Sequence, residues 1–279
     1  MSFKAALIQM RSGRDMARNL ADAAAMIREA RGRGAQFVST PEMTNILEPD
    51  RPRLKSLARR EEEDASVAGF SELARELGLW LNVGSLALKG PAEKLINRSL
   101  LIAPDGAIAA RYDKIHLFDV DLPNGESLRE SHAYDGGNRA VLAATPLGVI
   151  GLTICYDVRF PALYRALAQA GAAVLTVPSA FTVPTGQAHW HVLLRARAIE
   201  TGSFVLAAAQ GGVHESGRAT YGHSLAVSPW GEVIAEAGTD PGVLVFDVNP
   251  DEVNVARTRI PTLCHDRVFT LNQPPVIAT

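Results

Sequence analysis

Three residues in this chain pair a reactive side chain with a position where folded chains tend to build sites. Cys155 closes the apolar run Val149-Ile150-Gly151-Leu152-Thr153-Ile154 and opens the polar stretch Tyr156-Asp157-Val158-Arg159. A cysteine where a strand runs into a helix meets backbone N–H groups and a helix dipole, and both favour the nucleophilic thiolate. Glu42 follows Pro41 directly after a short strand-like stretch at residues 36–40, and carboxyl ends of strands are where α/β proteins commonly place working side chains. Lys114 lies in Tyr112-Asp113-Lys114-Ile115-His116. Taken singly, each has a plainer reading. Free cysteine is among the most often buried residue types, a lone lysine is usually a solvated charge, and an acid after a strand is commonly a surface group or helix cap. What draws Cys155 away from the core reading is the polarity of Asp157 and Arg159, which suggests the mouth of a site.

Other chemistries fare worse. His189 and His191 are two apart on an expected helix and point to different faces, whereas ligation from one face needs an i, i+4 pair. His214 and His223 lie in a Gly-rich stretch with no cysteine or paired carboxylates near, so no metal is expected. Gly222-His223-Ser224-Leu225-Ala226 resembles a serine nucleophile elbow, but Ala226 stands where the second glycine belongs and a strand, not a helix, follows. Gly32-Arg33-Gly34 closes a helix instead of opening one, which removes a dinucleotide loop.

The elements that must position these residues can be read from periodicity. Residues 3–10 read as a strand and 14–32 as a helix with Leu20, Ala23, Ala24, Ile27 and Ala30 on one face. A short strand at 36–40 is stopped by Pro41, and a helix at 65–77 is closed by Gly78. Strands follow at 80–88, 96–103 and 107–112, the last two joined through Pro104-Asp105-Gly106. Residues 118–139 carry Pro123, Asn124, Gly125, Gly136 and Gly137 and read as a long irregular loop, of the kind that often builds a site. A buried strand at 149–155, a helix at 162–170, a strand at 173–177, a helix at 188–201 and a strand at 204–209 come next. A hairpin at 224–237 turning on Pro229-Trp230-Gly231 and a last strand at 243–248 complete the pattern. No repeat or linker interrupts it, so one α/β domain over residues 1–279, with two mixed sheets covered by helices, is expected.

Bulk properties agree. A formal charge of −2 gives no footprint for nucleic acid or anionic membrane. Two cysteines, Cys155 and Cys264, cannot make a disulfide framework, and neither a signal-peptide pattern nor a long apolar span is present. A reducing, cytoplasmic setting with free thiols is the expectation.

Three segments taken together go further. Thr40-Pro41-Glu42-Met43, Tyr112-Asp113-Lys114-Ile115-His116-Leu117-Phe118 and Gly151-Leu152-Thr153-Ile154-Cys155-Tyr156-Asp157 resemble the Glu, Lys and Cys motifs of the nitrilase (carbon–nitrogen hydrolase) superfamily, in that family's order. The resemblance covers nearly the whole chain, about residues 3–269. It implies a four-layer α-β-β-α sandwich, a homodimer or higher homo-oligomer, a small-molecule amide substrate and no cofactor. The segments 114–121 and Arg159-Phe160-Pro161 are similar to the Nit branch. Within it, residues 186–200, Ala207-Ala208-Ala209-Gln210 and Tyr221-Gly222-His223-Ser224 are most similar to amidases of deaminated glutathione.

The mechanism this resemblance implies converts an amide to acid and ammonia through a cysteinyl thioester. Cys155 attacks, Glu42 carries the proton, and Lys114 with the Tyr156 N–H stabilises the oxyanion. Glu130 matches a supporting residue of the family, and Arg159, Phe181 and Thr185 match positions that contact the substrate's keto-acid end. The residues leave ω-amides such as α-ketoglutaramate, N-carbamoyl amino acids and nitriles open as substrates. A scaffold that merely keeps the fold would be expected to have lost one of Glu42, Lys114 and Cys155. The chain departs from the branch at Ala162, where glutamate is common, and at Gly136, where proline is common. The first is expected to alter packing behind the nucleophile and the second to loosen the loop.

Overall fold

Runs in which apolar residues alternate, or continue without a break, fix the strands, and the computed structural model places them in two sheets. It describes residues 2–122 and 125–272; Pro123 and Asn124, read above as loop markers, lie outside the described residues. In chain order the first half contains β1 (Phe3–Gln9), α1 (Met16–Gly32), β2 (Phe37–Ser39), α2 (Arg51–Leu57), α3 (Ala65–Leu77), β3 (Trp80–Lys89), β4 (Leu95–Ile102) and β5 (Ile108–Asp113). Then come β6 (Asp119–Asp121), β7 (Ser127–Arg129), β8 (Tyr134–Asp135), β9 (Val141–Thr145), β10 (Gly148–Leu152), α4 (Pro161–Gln169) and β11 (Val174–Thr176). The chain continues through α5 (Val183–Thr201), β12 (Phe204–Ala207), β13 (Gly211–Val213), β14 (Ala219–Tyr221), β15 (Leu225–Val227), β16 (Val233–Glu236), β17 (Gly242–Val248) and α6 (Asp251–Arg259).

The first sheet runs β17-β1-β2-β3-β4-β5, with β8 added against β4; the second runs β16-β15-β12-β11-β10-β9. Each has three parallel strands at its centre, β1-β2-β3 and β10-β11-β12, flanked by antiparallel ones. Along β1 the period of two sorts side chains between layers. Ala5 and Leu7 pack with Ile150, Leu152 and Val174 of the other sheet. Ala6 and Ile8 pack with Ala23 and Ile27 of α1 and Phe70 of α3. Helices α4 and α5 cover the second sheet through Leu163, Leu167, Trp190 and Leu194. The layers are therefore helices, sheet, sheet, helices, the expected four-layer sandwich.

Helix α3 has the bounds read from sequence, capped by Asp64, which accepts from the N–H groups of Ser66 and Val67, and ended by Gly78 in the left-handed region. Helix α5 starts earlier than expected, at Val183, because Pro184 suits a first turn. The irregular segment 118–139 holds more order than expected: β6 and β7 form a small hairpin, and β8 adds to the first sheet. Gly136 sits just past β8 and is exposed, and Ala162 is exposed on the first turn of α4, not packed behind Cys155. No helix among the described residues is long and apolar enough to cross a membrane.

Candidate active site

Glu42, Lys114 and Cys155 all lie just beyond carboxyl ends of strands, after β2, β5 and β10 respectively, and all three are buried. Glu42 reaches its place because Thr40-Pro41 crosses closely over a bulge in β3. The Ser85 N–H donates to Pro41 O, and the Met43 N–H donates to Ser85 Oγ. A Cβ on Gly84 would lie 1.9 Å from Thr40 O and 2.5 Å from Pro41 O, so only glycine allows that crossing. Gly137 serves the same end at Lys114: its N–H donates to Lys114 O, and a Cβ there would lie 2.3 Å from Asp113 O.

Cys155 begins a short 3-10 turn, Cys155–Arg159, with φ +49°, in the left-handed region that costs a residue with a Cβ on the order of 1–3 kcal/mol. The turn is held by Asp157, which is fully buried and so no part of a site mouth. Its carboxylate accepts from Tyr112 Oη at 2.7 Å, Ile154 N at 2.8 Å and His116 N at 3.1 Å, and lies 2.7 Å from His116 Nδ1. One side chain thus ties the Cys155 turn to the segment that carries Lys114.

The side chains converge on one ionic cluster. Lys114 Nζ lies 2.9 Å from Glu42 Oε1 and 2.8 Å from Glu130 Oε2. Asn97 Nδ2 donates to both carboxylates, at 3.0 and 3.2 Å. The Ala180 N–H donates to Glu42 Oε2 at 2.9 Å, and the Phe118 N–H to Glu130 Oε2 at 2.7 Å. Turning the Asn97 amide round would aim its oxygen at two carboxylates, so the network sets its orientation. The Cys155 thiol completes the group beside Glu42 and the Ala180 N–H.

Burial works against the Glu42 charge. The Lys114 ammonium and hydrogen bonds from Lys114, Cys155 and Asn97 outweigh it and hold the carboxyl below its ordinary range. Burial likewise opposes the Lys114 cation, yet Glu130 and Glu42 hold it well above the usual lysine value. For Cys155 the outcome is the reverse of the expectation from its strand-end position. Burial, then the Glu42 carboxylate, pushes the thiol up, and Lys114 and the Ala180 N–H offset only part of this. The resting site holds a thiol beside a carboxylate.

The cluster forms the floor of a cavity of about 550 Å³, whose lining includes Glu130, Tyr156, Phe181 and Thr185. Thr185 Oγ1 lies 2.8 Å from Thr182 Oγ1. Arg159 is not among the lining residues. Its guanidinium sits 5.8 Å from the Tyr156 ring and 5.5 Å from the Phe181 ring, with Nη1 3.2 Å from His189 Nδ1. It makes no salt bridge to Asp157. Arg218, on the turn between β13 and β14, does line the cavity. Ser224 is structural: buried, it donates to Gln9 Oε1 and accepts from the Ala209 N–H, both at 2.9 Å. Among the described residues no group of three or more His, Cys, Asp or Glu side chains could hold a metal ion.

Asn97, Ala180 and Arg218 went unread as site residues, and Asp157, read at the mouth of a site, is instead the buried tie beneath Cys155. For Asn97 a signal existed, since a polar residue inside the apolar run Leu95–Ile102 must find buried partners. Ala180 acts through its backbone, which side-chain identity does not reveal.

Comparison with known proteins agrees with the motif resemblance. The carbon–nitrogen hydrolase family profile matches residues 4–258. The deaminated glutathione amidase of Synechocystis is 40% identical over 276 residues, covering 96% of this chain and 98% of that protein. The C. elegans NitFhit protein is 36% identical with a TM-score of 0.89 over 95% of this chain, which spans 65% of that protein's length. An amidase from Nesterenkonia, solved as a Glu-to-Gln variant after Michael addition of acrylamide at its active-site cysteine, is 28% identical with a TM-score of 0.76, covering 93% of this chain and 98% of that one. The chain belongs to the carbon–nitrogen hydrolase family.

Proposed function

We propose that this protein is an amidase that cleaves a small carboxylate-bearing amide through an acyl thioester on Cys155, with deaminated glutathione as the substrate. The observation that carries this reading is the contact of one ammonium with two carboxylates beside a buried thiol at the floor of a cavity.

Because the thiol is pushed up and Glu42 is held down, the proton passes from Sγ to Glu42 as the carbon–sulfur bond forms, not before. Lys114 and the Tyr156 N–H receive the oxyanion. The charge count explains why this is feasible in a buried site. At rest Glu42 and Glu130 against Lys114 sum to one negative charge. In the tetrahedral state Glu42 is neutral and the oxyanion carries that charge instead, so the cluster's net charge does not change. Preorganised charges of this kind lower a barrier without reorganising as the reaction proceeds. Glu42 then gives its proton to the departing amine and takes one from water as water opens the thioester. Glu130 keeps Lys114 aimed throughout. With deaminated glutathione the departing group is a peptide amine, and a cavity of about 550 Å³ has room for it.

Homodimerisation belongs to the same proposal. Val192 and Ile199 of α5 are 69% and 54% exposed, and Trp230 beside them is 50% exposed; such apolar side chains suit a second copy. Free Cys155 and Cys264 suit a reducing, cytoplasmic setting.

The test is amine release from deaminated glutathione and α-ketoglutaramate by wild type and by Cys155→Ala. The expected result is turnover by wild type, with the first substrate preferred, and none by the variant. Substantial turnover by Cys155→Ala would contradict the assignment.

A further inference from the structure

Charges around the cavity are mostly matched. Glu48 is held by Arg14 at 2.7 Å and Arg53 at 2.9 Å, and Arg129 by Asp121 at 2.8 Å. Lys114 lies between Glu42 and Glu130. Arg218 differs. It lines the same cavity, is half-buried, and makes no ion pair among the described residues. Its Nη2 donates to Ala180 O at 3.2 Å, the residue whose N–H holds Glu42. The backbone beneath it is fixed in advance: the His214 N–H donates to Arg218 O, the Tyr221 N–H donates to Phe181 O, and Thr182 bridges to Thr220. A half-buried guanidinium with no anion has lost part of its hydration without a partner, a deficit that a bound carboxylate would make good.

The floor of the cavity sharpens the need. Glu42 and Glu130 outnumber Lys114 by one charge, so an anionic substrate is repelled unless a further cation faces it. Arg159 is not that cation in this arrangement: its guanidinium rests against the Tyr156 and Phe181 rings and His189, and it is not among the residues that line the cavity. We infer that Arg218, and not Arg159, pairs with a carboxylate of the substrate and so selects acidic amides over neutral ones. This rests on the amidase reading of the same cavity. Deaminated glutathione carries a carboxylate at each end, and the test distinguishes them.

Calorimetric titration of Cys155→Ala, which binds without turnover, uses three ligands: deaminated glutathione, its acyl-end carboxamide and its amine-end carboxamide. Adding Arg218→Ala should weaken binding of the parent by about 10- to 100-fold, the range for hydrogen bonds to a charged group. Arg218→Lys should restore part of it, since a point charge lacks the two-pronged geometry. The loss should vanish for one carboxamide, which names the end that Arg218 holds. An equal loss for all three ligands, no loss, no binding of the parent by Cys155→Ala at millimolar concentration, or a loss that follows Arg159→Ala instead would overturn the inference. Amine release by wild type is scored separately. Turnover with binding indifferent to Arg218 keeps the amidase reading and removes this one; Arg218-dependent binding without turnover does the reverse.

Discussion

Lys114 is shared by two carboxylates, and the consequence for pH dependence can be worked out from directions alone. In the proposed mechanism Glu42 is a base only when charged, and its carboxyl is held below the ordinary value of 4.5, so acid would silence it only below that pH. Lys114 stays protonated beyond the usual 10.5, and the thiol does not ionise near neutrality because it is raised from 9.0. None of the three changes charge between about pH 6 and 9, and kcat/KM should be flat there. A profile rising tenfold per unit through pH 7 would mean that a preformed thiolate, or a different base, does the work. The charged residues of the cluster were legible because each sits in its own motif. Asn97 and Arg218 were not, because one is a single amide within an apolar strand and the other lies in a Gly-rich turn. Arg159, expected at the substrate, rests against the Tyr156 and Phe181 rings outside the cavity lining, because sequence distance of one turn past Cys155 says nothing about where a long side chain comes to rest.

At the level of elements, the site is built where loops cross closely beyond strand ends. Gly84→Ala tests this. Its Cβ would meet two backbone oxygens and Pro178, none of which can swing away. The substitution should cost about 1–3 kcal/mol or more in urea unfolding and lower kcat by displacing Glu42. Unchanged stability and activity would show that the crossing is loose. The elements that sequence revealed are those with clear patterning or turn signals: β1 to β5, the parallel centre of the second sheet, β15 to β17, and α1, α3, α4 and α5. The hairpin of β6 and β7 was missed because each strand is only three residues long, too short for its alternation to stand out. Helix α6 buries little more than Val253 and Ala256, too few to mark a face.

Over the whole molecule, two sheets face each other and bring the segments after β2, β5 and β10 to one cavity, so Glu42 and Cys155, more than a hundred positions apart, line the same space. The outer surface of α5 has a separate role in the proposed homodimer. Ile199→Arg should convert a dimer to a monomer in size-exclusion chromatography with light scattering, with the fold retained by circular dichroism. A wild type that is monomeric at micromolar concentration would remove the dimer. The most direct test of the central claim, acyl transfer to Cys155 with Glu42 as the proton carrier, is intact-mass spectrometry of wild type, Cys155→Ala and Glu42→Gln, each quenched soon after mixing with deaminated glutathione. Glutamine can neither take the thiol proton nor give one to the departing amine, so the account predicts an acyl adduct in wild type that maps to Cys155 and is absent from Cys155→Ala, and neither adduct nor turnover in Glu42→Gln. Rapid turnover by Glu42→Gln with no adduct, or an adduct on Cys264, would contradict it.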